Sequence, residues 1–320
     1  MGKVWLVVGC LIVMLLPLRA LAWGLDGHRI IGEVAVKNLP AELPPFLQTQ
    51  AAKDEITYLG SEEDRLKIGE DEEAAWGREW PTDHYLDVED DGTVAGVVAL
   101  SALPPTRDDF EQLLMNSPHH IDAYNTGFLP YAILEGYEQV RSDFALWRQA
   151  VADAQARGGD AATTIVKYRE TLTIHDIGIF SHFVGDGSQP LHVTVHYNGW
   201  GHYPNPRNFS TDPKTHAEFE SDFVSRYVNA DTVNPFFHAP TELTTVPLPD
   251  IERYLADTNA QVVPFYELKA RASFDLGGVG SSARNDAIRF ASARLAAASQ
   301  MLDSLVLTAW RTSASLHGSD

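Results

Sequence analysis

His182, Asp186 and His192 stand at spacings of four and six residues, and His216 and Glu220 form a second pair four apart. On a helix, residues four apart leave one face with their Cβ atoms roughly 5–6 Å apart. Both members of each pair can therefore grip one ion. Imidazole nitrogen and carboxylate oxygen at about 2.0–2.2 Å are the donors of catalytic zinc, whose sites keep a position for water. Zinc lowers the pKa of bound water from 15.7 toward about 7, which makes hydroxide available at neutral pH. A phosphodiester is the bond that most needs such help, because its charge repels hydroxide and its alkoxide leaves poorly. Two metals a few ångströms apart hold nucleophile and phosphoryl oxygen in line while a further Lewis acid stabilises the leaving oxygen.

Other chemistries have no residues to carry them. There is no Gly-x-Ser-x-Gly elbow, no Walker loop and no dinucleotide fingerprint. The run Gly277-Gly278-Val279-Gly280 lacks a following Lys-Ser or Lys-Thr and reads as a lead into the last helix. Cys10 is the only cysteine and lies in an N-terminal apolar segment.

Further ligand candidates lie upstream. The segment Trp23-Gly24-Leu25-Asp26-Gly27-His28 precedes Asp64, in Glu63-Asp64-Arg65, and His84, in Asp83-His84-Tyr85-Leu86-Asp87. Taken singly, each has a structural reading: a buried tryptophan, a helix-start histidine, a solvated acid, a core histidine. His119, His120, His175, His196 and His202 have no partner at ligand spacing and are expected to face solvent or back up the site.

The elements that position these residues begin after a secretion signal. Lys3 precedes an apolar run over 4–18, and Ala20-Leu21-Ala22 supplies the small residues of a cleavage site. The run is shorter than the roughly 20 residues of a spanning helix. Residues 1–22 are thus expected to be removed and 23–320 to be secreted or periplasmic. A mature chain without cysteine has no disulfide framework and rests on core packing and metals. The full chain carries 44 acidic and 24 basic residues, a net charge of -20, and cleavage removes Lys3 and Arg19 as well. Such a field disfavours a generic polyanion binder, although bound zinc reverses it locally.

Apolar residues recur at helical spacing over 27–38, with Ile30, Ile31, Val34 and Val36, and over 131–156. The pattern continues over 163–185, with Ile165, Tyr168, Leu172, Ile179 and Phe183, and Pro190 helps end that helix. Residues 214–227 and 285–310 read as further helices, the last carrying Ile288, Leu295, Leu302 and Leu305. Long alternating strands are missing, and 94–100 reads as loop or a short hairpin. The fold class expected is all-α: a single-domain helical bundle with ligands on facing helices and joining loops. No linker or repeat divides it. The stretch 92–126 is expected to form a lid or a substrate wall, and Asn208-Phe209-Ser210 is a glycosylation sequon.

The ordered set Trp-Gly-x-x-Gly-His at Trp23, Asp64, His84-Tyr85-x-Asp87, Gly127-Phe-Leu-Pro-Tyr-Ala-Ile133, His182-Phe-Val-Gly-Asp186-Gly-Ser-Gln-Pro-Leu-His192 and His216-x-x-x-Glu220 resembles the trinuclear-zinc superfamily. That superfamily contains the single-strand-specific nucleases and the zinc-dependent phospholipases C. The likeness runs from Trp23 to about Trp310. It implies three zinc ions. Asp64, His84, His182 and Asp186 would hold the first, and His192, His216 and Glu220 the second. Trp23, through its amine and carbonyl, would hold the third with His28, and Asp186 would bridge the first and third. Glu63, Glu70 or Asp71 are alternatives to Asp64 if the helix boundary differs by a turn. Asp64 would also orient or deprotonate the attacking water, and Lys67 or Arg65 would steady the transition state. Tyr85 falls where the nucleases stack a base and Asp87 where they recognise one. The resemblance implies a secreted endonuclease that cuts single-stranded DNA and RNA to 5′-phosphate products, with 3′-nucleotidase activity as a further expectation. Its substrate partner would be single-stranded nucleic acid or nucleotides, and no stable protein partner is implied. The alternative is a phospholipase C that takes a phosphatidylcholine-like headgroup, because Glu220 stands where the fungal and plant nucleases use aspartate.

Overall fold

The structure, a computed structural model, describes residues 23–66, 80–201, 203–277 and 280–316. The expected signal segment, Lys67, Glu70, Asp71 and His202 lie outside the described residues. The all-α expectation holds. Helices dominate, and the described sheet is one antiparallel pair, β1 (Thr93–Val94) and β2 (Val98–Ala99), in the register Thr93 to Ala99. No described helix is long and apolar enough to cross a membrane.

The frame is a set of long helices, each folded by an apolar stripe. Helix α1 (Gly24–Asn38) buries Ile30, Ile31 and Val34. Helix α2 (Gln50–Leu59) is capped by the Thr49 side chain, which accepts from the Ala52 amide, and α3 (Glu62–Leu66) follows it directly. Helix α4 (Arg107–Met115) precedes α5 (Leu129–Arg157), which carries Pro130 in its first turn, where a missing N–H costs nothing. Helix α6 (Asp160–Asp186) packs along α5 and also meets α2. Helices α7 (Leu248–Asn259), α8 (Val262–Ala270) and α9 (Ser281–Ser313) complete the described bundle.

Two apolar clusters form the core. One joins α5, through Tyr137, Val140 and Phe144, to Leu302, Leu305 and Val306 of α9. The other joins α1 to Phe219, Phe223, Phe265 and Tyr266, and to Ala291 and Leu295 of α9. Helix α9 thus runs through both.

Two helical expectations are corrected. Ile165, Tyr168 and Leu172 are exposed by 52%, 65% and 45%. Burial on α6 starts only at Thr173, so its first turns lack the neighbours that would cover the stripe. The predicted 214–227 helix is interrupted: one α-turn at Thr215–Ala217 passes into a π-helical stretch at Glu218–Phe223 before α geometry returns at Val224–Tyr227. The stretch 92–126 is no detached lid, because Val94, Leu100, Leu103, Phe110 and Leu114 are core residues.

Between α5 and α6, Asp143 is buried and Gln139 donates to both Asp143 and Asp176. Burial, then the neighbouring Asp176, pushes the Asp143 carboxyl up to about 7. A raised carboxyl makes the folded state bind a proton that the unfolded chain has already released. Its penalty is therefore absent at low pH and grows as pH rises from the ordinary carboxylate range to about 7. Asp143→Asn is expected to raise the melting midpoint by about 2–4 °C at pH 8, the shift that roughly 1 kcal/mol produces, and to make little difference at pH 4. Melting curves at the two pH values check it, and an equal shift at both would contradict it.

Candidate metal centre

The predicted side-chain ligands come from six places in the fold: α1 (His28), α3 (Asp64), the turn Trp80–His84, α6 (His182 and Asp186), the turn Pro190–His192, and the 215–223 segment (His216 and Glu220). Helix α6 is central. Its His182 and Asp186 are fully buried and one turn apart. Gly185 lets α1 come close, because a Cβ there would lie 2.8 Å from His28 Nδ1. The His28 and His182 rings consequently stack with centroids 4.0 Å apart.

Asp186 sits between these rings. Its Oδ1 lies 3.4 Å from His28 Nε2 and its Oδ2 3.4 Å from His182 Nε2. Asp64 approaches the same two nitrogens at 3.9 and 4.0 Å. Those spacings suit coordination, since the edge of a tetrahedron with corners at about 2.1 Å from a zinc ion is about 3.4 Å. Ligand atoms gather into three groups within 4.8 Å: His28, Asp64 and His182; His84, His182 and Asp186; His192, His216 and Glu220. The third group is the expected second zinc set. In the first two, His182 is shared and Asp64 reaches His28 as nearly as it reaches His182.

Hydrogen bonds orient the imidazoles. His182 Nδ1 donates to the Gly60 carbonyl at 2.9 Å, which turns Nε2 toward the carboxylates. His192 Nδ1 donates to the His84 carbonyl. Such contacts on the second nitrogen fix the tautomer of a metal-ligating histidine. His192 Nε2 lies 3.8 Å and His216 Nε2 2.8 Å from Glu220 Oε2, which also accepts from Gln189. Burial alone would raise the Glu220 carboxyl, but His216 and His192 outweigh it and hold it at about 2. His192 Nε2 and Glu220 Oε1 are buried with no hydrogen bond among the described residues. Buried polar atoms are rarely left so, and a nitrogen and oxygen donor set fits zinc.

Trp23 is fully buried one residue before α1, in the left-handed region at φ 40°. Its indole N–H is shared between the Gly185 carbonyl at 2.8 Å and Ser188 Oγ at 3.0 Å, and its ring packs on Phe219. The side chain thus ties α1 to the residues flanking Asp186 and Glu220. Arg65 stacks on Tyr58 and pairs with Glu62, both engagements on the partly exposed face of α3. Glu63, the described alternative to Asp64, is buried beside it but belongs to none of the three groups.

A cleft of about 360 Å³ opens against His84, His192 and His216. Tyr85 and Asp87 line it, together with Asn125, Tyr197 and Asn198. Burial, with Glu89 adding to it, pushes the Asp87 carboxyl up to about 7. Burial likewise raises the Tyr85 hydroxyl, which stays protonated. Backbone contacts build this wall. The Leu86 amide donates to His192 O, Asp87 to Thr126 O, and Leu129 to Tyr85 O. Gly127, at φ 86°, makes the approach possible, since a Cβ there would lie 2.1 Å from the Tyr85 carbonyl oxygen.

Asn125, Tyr197 and Asn198 escaped the sequence reading. The aromatic and amide at 197 and 198, just after His192, are a signal that was present, whereas Asn125 has none. His196 is buried, its ring stacking on Trp200 with centroids 3.7 Å apart and meeting Asp90 at 2.9 Å. His119, His120 and His175 are exposed.

No family model matches the chain, and no curated protein matches it. Among solved structures, the alpha-toxin of Clostridium perfringens from avian strain SWCP aligns at 13% identity with a TM-score of 0.37. The alignment covers 89% of this chain and 64% of the toxin chain, so the chain spans less than two thirds of that protein. A likeness this distant carries nothing about the site.

Proposed function

We propose that the chain is a zinc-dependent hydrolase of phosphodiesters. The observation that carries this reading is the gathering of nine-tenths-buried His, Asp and Glu ligand atoms into three adjoining groups beside one cleft. Zinc held there would supply Lewis acidity toward a phosphoryl oxygen and acidify a water. The protein's own part is to hold and aim. Gly60 and His84 carbonyls set His182 and His192, Asp64 and Asp186 supply charge, and the Tyr85 wall positions the substrate.

Two substrate classes fit that wall. Stacking on Tyr85 with hydrogen bonds to Asp87, Asn125 or Asn198 suits a nucleobase, and the substrate is then single-stranded nucleic acid, cut to 5′-phosphate products, or a 3′-nucleotide. Tyr85 and Tyr197 with Asp87 also form the aromatic and anionic set that takes a quaternary ammonium, which favours a phosphatidylcholine-like lipid. A side-by-side assay of zinc-loaded protein beginning at Trp23, on single-stranded DNA, RNA and phosphatidylcholine, decides between them. Nucleotide release supports the nuclease reading. Turnover of the lipid alone removes it, and turnover of none by fully zinc-loaded protein removes the phosphodiesterase reading itself. On a nucleic acid substrate, Tyr85→Ala is expected to raise KM about tenfold with kcat little changed, from the roughly 1–3 kcal/mol of one stacked base. An unchanged KM would take Tyr85 out of the binding wall.

A further inference from the structure

His84 belongs to a short turn, Trp80–His84, and two features of this turn reach the metal centre. Its imidazole enters one ligand group and its main-chain carbonyl accepts the His192 Nδ1 proton of another. Wherever the turn sits, both groups follow. On its other side the turn is tied to α4 and α5 by a single guanidinium. Arg107 donates to Asp83 Oδ1 at 2.6 Å, and to both oxygens of Glu135 at 3.0 and 2.8 Å. The guanidinium also lies 4.8 Å from the Phe128 ring centroid, while the Phe128 amide donates to Thr82 O at 2.7 Å. Arg107 is only 23% exposed, so this bridge is partly shielded from water and stronger than a surface pair. The planar fork suits the task, since only arginine can engage one carboxylate with two donors and another with a third.

We propose that Arg107 is a positioning residue for the metal centre: through Asp83 it fixes the turn that aims the His84 ring and the His84 carbonyl. The inference rests on reading His84 and His192 as ligands. Arg107 touches neither a ligand atom nor the cleft. Its action is to stop the residue before His84 from shifting when the metal charge arrives. The Glu135 side of the fork anchors it to α5, the helix that packs along α6.

The test is zinc affinity, measured by competition with a chromophoric chelator, for the parent protein and Arg107→Met. The variant is expected to bind zinc about ten- to a hundredfold more weakly, the usual cost of losing a group that orients ligands. Excess zinc should restore its activity, and Arg107→Lys, which can reach Asp83 but cannot fork, should fall between the two. A folded Arg107→Met with unchanged zinc affinity and only a lower melting midpoint would reduce the bridge to a structural tie and overturn the proposal. If that variant does not fold, Asp83→Asn, which keeps the shape and removes the charge, decides by the same measurement. A parent protein that binds no zinc would instead defeat the metal-centre reading.

Discussion

Asp186→Asn is expected to lower activity by about a thousandfold or more while the protein stays folded. The carboxylate is fully buried and presents one oxygen to His28 and the other to His182, each at 3.4 Å. Asparagine keeps the shape but replaces one of those oxygens with an amide N–H₂ that repels a cation. Asp186 belongs to the group of His84 and His182 and also reaches His28 of the adjoining group. Loss of Lewis acidity worth about 4 kcal/mol corresponds to three orders of magnitude in rate. Metal analysis should find zinc depleted, and the circular dichroism spectrum should be unchanged. Activity within tenfold of the parent with the same zinc content would show that Asp186 neither bridges nor holds a metal.

One extra residue before Trp23, methionine for example, is expected to reduce activity about a hundredfold, in the range that a lost or displaced ligand contact costs. The family resemblance implies that the free amine made by cleavage after Ala22 would bind the same ion as His28. The side chain of Trp23 is held firmly beside the helix of Asp186. Its indole is clamped to the Gly185 carbonyl, next to Asp186, and its side chain is fully buried. A nitrogen attached to so enclosed a side chain has little freedom to adapt to an added residue. Proteolytic removal of the extension should restore activity. Unchanged activity with unchanged zinc content would take the Trp23 amine out of the centre.

What the amino-acid order made legible follows how local each signal is. Helices α1, α5, α6 and α9 were readable because their apolar stripes repeat over many turns. Helix α2 was not, since only Ala52 and Ile56 of its ten residues are buried, and two positions make no periodic pattern. The π-helical turn at Glu218–Phe223 left no mark either. His216 and Glu220 keep their four-residue spacing whether the turn is α or π, so tertiary packing alone selects the wider form. At the centre, His182, Asp186, His192, His216 and Glu220 announced themselves by short spacing. Asn125 and Arg107 did not, because their neighbours in space are reached only after α4 and α5 have folded back on the 80–88 segment.

The contact between Gly127 and Tyr85 bears on how such a protein can change. The gap between these two backbones is set by the absence of a β-carbon, so any other residue at 127 must push the Tyr85 segment of the wall outward. That movement reaches Asp87 through its bond to Thr126 before it reaches the carboxylates around α6. The aperture of the cleft and the grip on the metals are thus coupled, because Tyr85 follows His84 directly and the Leu86 amide is bonded to the His192 carbonyl. A lineage that replaced this single glycine would reshape what the cleft admits and shift the His84 side of its inorganic chemistry in the same step.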